Sequence, residues 1–130
     1  MLEKYFVPYD RALKLKELGF DGECVTFYEN NILKAVDQHW GMSFSGISEK
    51  LGYKVDDLIL APLFCQVFDW FREKYNLNSF IVDSKSYNWY FNISDMLKDD
   101  VVSEVLYFKT FEEAQLACLD KLIEICSSVS

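Results

Sequence analysis

The residue types in this chain that could carry out covalent chemistry are one histidine and four cysteines. His39 follows Asp37 closely enough for the carboxylate to orient its imidazole, as in a general base. Cys65 is the nucleophile that such a base would activate, because it falls on the polar side of a predicted helix. No basic cluster flanks Cys65 to favour its thiolate. A lone histidine in an irregular segment is more typical of a surface or packing residue, so a small enzyme using Cys65 or His39 is the alternative function.

Metal and cofactor chemistry have weaker support in the sequence. The acid pairs Asp56-Asp57 and Asp99-Asp100 lack the alternating oxygen ligands and the glycine of a calcium loop, and are typical of solvated loops. The four cysteines contain no C-x-x-C pair of the zinc or redox type. No phosphate-binding loop of the G-x-G-x-x-G or GK[ST] type occurs. We therefore predict no catalytic residue, no metal site and no cofactor.

Acidic residues outnumber basic residues by 21 to 13, which gives a net charge of −8 and a pI near 4.6. Residues 95–130 contain 8 acidic and 3 basic residues and therefore hold −5 of this charge. Such a balance opposes binding to nucleic acid and to an anionic membrane surface. It favours a protein partner with a basic surface.

Four residues are predicted to contact such a partner. Glu113, Asp120 and Glu124 recur at spacings that put them on the outward side of a C-terminal helix, where Lys121 alone opposes their charge. Tyr90 is the fourth, because it alternates with the apolar residues of a predicted strand and would lie exposed between two asparagines. Few basic residues surround Tyr90 in the sequence, which favours a protein contact over stacking on a nucleic acid base.

The first half of the chain predicts one helix and one hairpin. Apolar residues recur at helical spacing over residues 9–18, with Pro8 before the first turn and Gly19 after the last. Residues 24–28 are β-branched and aromatic, and residues 32–36 can return as a second strand after a turn.

The middle of the chain lacks a sustained period. Glycines interrupt residues 37–61, for which we predict an irregular segment with one short helix over residues 45–51. A broad apolar stripe follows over residues 62–76, and Pro62 is predicted to lie in the first turn of this second long helix.

The last third of the chain predicts a second hairpin and a third helix. The pattern predicts two strands joined by a polar turn, at residues 80–83 and 87–93. It also predicts an edge strand at residues 105–108. A capping box from Thr110 to Glu113 is predicted to open a helix over residues 110–126.

These elements predict an α+β fold. Hairpins give antiparallel pairs, so we expect a two-layer sandwich in which one antiparallel sheet carries three helices on one face. A similarity between residues 15–20 and 71–77, each before a hairpin, favours the order αββ-αββ-α. A chain of 130 residues with 51% hydrophobic residues is the size of one domain, so we predict a single domain with an insertion-like segment at residues 37–60.

The N-terminal sequence and the hydropathy bear on location. Residues 1–8 have no basic start, apolar core or small-residue cleavage site, and so do not resemble a secretion signal. The longest apolar stretch, residues 58–65, is far shorter than a membrane span. We therefore expect a cytoplasmic protein with reduced cysteines.

The three predicted helices resemble those of a family of short uncharacterised proteins from phage and mobile-element regions of gut anaerobic bacteria. The resemblance lies in residues 7–21, 61–77 and 110–125. Residues 37–60 depart from the shorter pattern of that family and look like an insertion. The resemblance implies a mobile-element origin, and it implies no known activity and no catalytic residue.

The sequence therefore predicts a non-enzymatic protein-interaction module, such as an accessory protein that binds a host or phage protein. The enzyme described above is the alternative, and an acidic inhibitor that mimics DNA is a narrower form of the first function. An enzyme needs a pocket where its reactive groups converge, whereas a mimic needs carboxylates spread along one face. The sequence leaves self-association of the chain open.

Overall fold

The computed structural model describes residues 2–22, 24, 26–35, 59–85, 88–98, 100–101 and 106–129. The chain divides into two compact units, Met1–Val67 and Phe68–Ser130. The predicted short helix at residues 45–51 lies outside the described residues, and the single domain stays a prediction. Among the helices described, none combines the length and the apolar character needed to cross a membrane.

The first unit begins with a 3₁₀-helix, Leu2–Tyr5, followed by helix α1, Tyr9–Glu17. Helix α1 ends in a Schellman motif: the backbone N–H of Gly19 donates to the carbonyl of Lys16 (3.0 Å), and that of Phe20 to the carbonyl of Leu15 (2.9 Å). Gly19 adopts a φ of 90°, a conformation that costs glycine little. The predicted stop at Gly19 is confirmed.

The first sheet contains strands β1 (Thr26–Glu29), β2 (Ile32–Ala35) and β3 (Ile59–Leu60), in the antiparallel order β2-β1-β3. A two-residue turn joins β1 to β2, and both of its residues, Asn30 and Asn31, have positive φ. The predicted hairpin is therefore confirmed. Strand β3 was not predicted, because two residues are too few to show an alternating pattern.

Polar contacts fix the first sheet within its unit. The Tyr28 hydroxyl donates to the carbonyl of Val7 at 2.7 Å, and the Tyr28 ring meets the Tyr9 ring edge to face. The Thr26 hydroxyl donates to the carbonyl of Ala61 at 2.6 Å, which satisfies a buried polar side chain. These bonds join β1 to the segments next to α1 and β3.

Helix α2 covers Phe64–Tyr75, and the division between the two units falls within it. The backbone N–H of Leu63 donates to Gln66 Oε1 at 2.9 Å and so caps the first turn. Pro62 precedes this cap, which corrects its predicted place inside the first turn. The helix ends before Asn76, whose φ of 58° is left-handed.

The second sheet contains β4 (Leu77–Asp83), β5 (Trp89–Asp95) and β6 (Asp100–Val101), in the antiparallel order β4-β5-β6. The predicted hairpin is confirmed, with each strand beginning or ending two or three residues from its predicted bounds. The predicted edge strand at residues 105–108 is reduced to one bridge within the described chain, where Phe108 and Trp89 exchange two backbone hydrogen bonds of 2.7 and 2.8 Å.

Helix α3, Phe111–Val129, packs against one face of this second sheet. Phe91 and Ile93 are buried on that face, and their partners across the hairpin are Ile81 and Ser79. Ser79 forms a hydrogen bond with Cys118 of α3, which identifies the face that the helix covers. The alternation predicted for β5 is therefore confirmed.

The α+β class is confirmed: the described chain contains three α-helices and antiparallel sheets. The two hairpins belong to two separate three-stranded sheets, whereas the sequence led us to expect one sheet. In each sheet a third strand of only two residues lies beside the hairpin. The placement of all three helices on one face stays a prediction.

Candidate functional site

The N-cap of helix α3 shows which acidic residues lie in its first turn. The backbone N–H of Glu113 donates to Thr110 Oγ1 at 3.1 Å, so Thr110 caps the helix as predicted. Glu112 and Glu113 then occupy the first turn, where the helix dipole favours negative charge.

The side of α3 that faces the sheet is closed to solvent. Ala114, Cys118, Leu119 and Leu122 have no exposed surface, and Cys126 is 1% exposed. These five residues fall on one side of the helix, and their burial defines how the helix is rotated about its axis. That rotation determines which residues face away from the sheet.

The predicted contact residues Glu113, Asp120 and Glu124 share the opposite side, which we call the outward side of α3. Spacings of seven and eleven residues put all three within an arc of about 40° and spread them over about 16 Å along the axis. Glu113 and Glu124 are exposed, and Asp120 is half-buried. The grouping of these carboxylates on one side follows the sequence prediction.

A cavity of about 320 Å³ opens beside this outward side. Its apolar lining comes from three elements: Phe91 of β5, Leu106 before the helix and Ala117 of α3. Asp120, Lys121 and Glu124 complete the wall; we call the whole the α3 cavity. The cavity thus combines apolar surface with two carboxylates and one ammonium group.

Lys121 and Glu124, three residues apart on α3, form an ion pair on the cavity wall, with Nζ and Oε1 3.5 Å apart. The Glu124 side chain is 70% exposed, and the Lys121 side chain is 34% exposed. Exposed pairs of this kind contribute about 0–1 kcal/mol, so this ion pair adds little to stability. The three charged groups of the wall leave a net charge of −1.

Ala117 is the small residue in the lining of the α3 cavity. It lies four residues after Glu113 and three before Asp120, so it belongs to the outward side, and its methyl group fills little of the space there. Leu106 is 52% exposed and forms a further apolar wall. Neither residue was predicted from the sequence, although a small residue at position 117 shares the outward side with the acidic residues.

Tyr90 lies on the other face of the second sheet from Phe91, because neighbouring residues of a strand point to opposite faces. It is half-buried rather than fully exposed, since its ring meets the Tyr107 ring at a centroid distance of 5.7 Å. Tyr90 therefore does not line the α3 cavity. Glu113 is also absent from its lining, and the structure brings together two of the four predicted contact residues.

The cysteines separate into one exposed and three buried side chains. Cys65 is exposed, as its predicted position on the polar side of α2 requires. Burial raises the pKa of the thiols of Cys24 and Cys118 to about 12 and that of Cys126 to about 11. These three thiols are protonated at neutral pH and behave as core residues. His39 lies outside the described residues, so its pairing with Cys65 stays a prediction.

The acidic loop beside β5 has a structural role. Asp95 Oδ1 accepts backbone hydrogen bonds from Leu97 (3.0 Å) and Lys98 (3.2 Å), an Asx-type turn that connects β5 towards β6. In the part of the chain that the structure describes, no three metal-ligating side chains come together. The acid pairs at residues 56–57 and 99–100 lie wholly or partly outside that part.

Comparison of this chain with protein families, with curated proteins and with solved structures gives no match.

Proposed function

We propose that this protein is a non-enzymatic interaction module that binds a basic segment of another protein through the outward side of α3. One observation supports this proposal above the others: the carboxylates of Asp120 and Glu124 border a cavity that also presents three apolar residues and Lys121. Protein interfaces combine an apolar centre with charged groups at the edge in this way.

The negative charge of the chain supports a positively charged partner surface. Residues 95–130 hold −5 of the net charge of −8, and they include all the acidic residues of the outward side. A face with that charge attracts a basic surface over a distance comparable with the Debye length and repels DNA and anionic lipids. We expect association to slow as the salt concentration rises.

The proposed setting is the cytoplasm, and the proposed role is that of an accessory protein of phage or mobile-element origin. The resemblance of the three helices to proteins from such regions is the support for this origin. An acidic DNA mimic would be a narrower form of the same function. Lys121, which pairs with Glu124, interrupts the row of carboxylates that a mimic needs.

Affinity capture from a lysate of the native host tests this function. The wild type is compared with a triple variant, Glu113→Lys, Asp120→Lys and Glu124→Lys, at low and at moderate salt. A matched control carries Glu17→Lys, Asp21→Lys and Glu73→Lys, which change the net charge equally at exposed positions elsewhere.

We expect the outward-side variant to lose partners that the wild type and the control retain. Those partners should also leave the wild type as salt rises. Retention of the same partners by all three proteins, with the same salt dependence, would contradict the proposal.

A further inference from the structure

The lining of the α3 cavity indicates which kind of chemical group would bind there. We propose that it seats one lysine or arginine side chain of the partner, with the aliphatic stem against the apolar lining and the cation between Asp120 and Glu124. This inference rests on the proposed function, because it names the residue type of the partner that enters the site.

The lining matches such a side chain in both of its parts. Phe91, Leu106 and Ala117 offer apolar surface, which suits a chain of methylene groups. Asp120 and Glu124 lie one helical turn apart on the same wall, so their carboxylates can approach one cation together. The volume of about 320 Å³ is at the lower end of the range for small-molecule sites, which suits a single long side chain.

Other occupants fit this cavity less well. An anion would meet two carboxylates against one ammonium group. A neutral apolar side chain would fill the lining but would take water from Asp120 and Glu124 without replacing its hydrogen bonds. A cationic side chain with an aliphatic stem satisfies both parts of the wall.

Lys121 competes with an incoming cation for the Glu124 carboxylate. Its ammonium group already pairs with Glu124, so an incoming cation must share or displace it. Removing the Lys121 charge should therefore strengthen binding of a cationic ligand. The same change would also strengthen cation binding to a surface that attracts cations by its overall negative charge and has no cavity. A second variant must therefore test the cavity itself.

Titration of the isotope-labelled full chain followed by NMR tests the inference directly. The probes are the N-acetyl amides of arginine and lysine, with the N-acetyl amide of norleucine as a neutral control that keeps the aliphatic stem. We expect shift changes at Ala117 and Lys121 with the two cationic probes. Norleucine should bind about tenfold more weakly, because it lacks a charge-assisted hydrogen bond.

Four variants separate the parts of the site. Ala117→Leu fills the cavity and keeps every charge, and it should weaken the cationic probes about tenfold, while Ala117→Ser, which keeps the space, should bind like the wild type. Asp120→Asn with Glu124→Gln keeps the shape and should weaken binding by a similar factor. Lys121→Gln should strengthen it about twofold to fivefold. If Ala117→Leu does not fold, the Asp120→Asn, Glu124→Gln variant with the norleucine control decides the matter.

Two results distinguish this inference from the function on which it rests. If the triple lysine variant loses its partner while Ala117→Leu keeps both partner and probe, the outward side binds without the cavity, and this inference alone is wrong. If neither change affects the partner, the proposed function is wrong as well. Equal binding of norleucine and lysine probes would also overturn the inference.

Discussion

The two sides of helix α3 differ in packing and in charge, although they belong to the same 19 residues. Towards the sheet, Cys118, Leu119 and Leu122 have no exposed surface, and close packing leaves them one arrangement. On the outward side, Ala117 leaves a cavity beside Asp120 and Glu124. The inner side stabilises the fold through burial, whereas the outer side keeps unfilled space beside exposed and half-buried charged groups.

Leu122→Ala should give the largest effect within this comparison. Removing a fully buried leucine side chain loses its transfer free energy and leaves a cavity, for a cost of about 2–5 kcal/mol. Glu124→Ala, two residues further on the outward side, should change the free energy of unfolding by less than about 0.5 kcal/mol. Urea unfolding of the two variants measures both values. Equal losses would mean that the two sides are not distinct.

A pH titration of stability should give the next largest effect. Burial raises the pKa of Cys118 from 9.0 to about 12 in the folded chain. Above pH 9 the unfolded state therefore binds fewer protons than the folded state, so the free energy of unfolding falls as pH rises from about 9 to about 12. The contribution approaches about 1.4 kcal/mol per pH unit.

Cys118→Ala is the control for this pH dependence, because other groups also titrate above pH 9. The variant should be less stable than the wild type at pH 7.5, and the difference should shrink by about 1 kcal/mol between pH 8.5 and pH 10. A constant difference across this range would show that the Cys118 thiol ionises without unfolding.

Thr110→Ala tests how much the N-cap of α3 contributes to the stability of the fold. The Thr110 hydroxyl satisfies the backbone N–H of Glu113, and its loss should cost about 1 kcal/mol. Thermal unfolding of the variant beside Thr110→Ser, which keeps the hydroxyl, measures this contribution. If the alanine and serine variants melt together, the cap contributes nothing.

Cys65 extends the comparison to a second helix and should give the smallest effect on stability. As an exposed residue of α2 it should tolerate substitution by serine within about 0.5 kcal/mol. With a thiol reagent at neutral pH, the native chain should show one fast-reacting cysteine, and Cys65→Ser should abolish the fast phase. A second fast thiol in that variant would show that a buried cysteine opens to solvent.

Local signals explain the parts of the fold that the sequence predicted. Gly19 was predicted as the end of α1 because a Schellman motif involves neighbouring residues only. Thr110 was predicted as a cap because its hydroxyl accepts from a backbone N–H only three residues later. The alternation in β5 predicted that Phe91 would be buried, because residue burial in a strand has a period of two.

Non-local contacts explain the parts that the sequence did not predict. Strands β3 and β6 have two residues each, and they are defined by the strands that pair with them rather than by a pattern of their own. The α3 cavity depends on Phe91, Leu106 and Ala117, which are separated by at least ten residues in the sequence. Spacing along α3 predicted the charged wall, but not the apolar surface that the sheet brings to it.

The outward side of α3 is proposed to bind a cationic segment at its cavity. The most direct test is an NMR map of the full chain titrated with a short peptide of alternating arginine and glycine. Binding at the cavity should give shift changes centred on Ala117, Asp120, Lys121 and Glu124, and these changes should diminish as salt rises. Changes confined to Tyr90 and Tyr107, on the other face of the sheet, would contradict it.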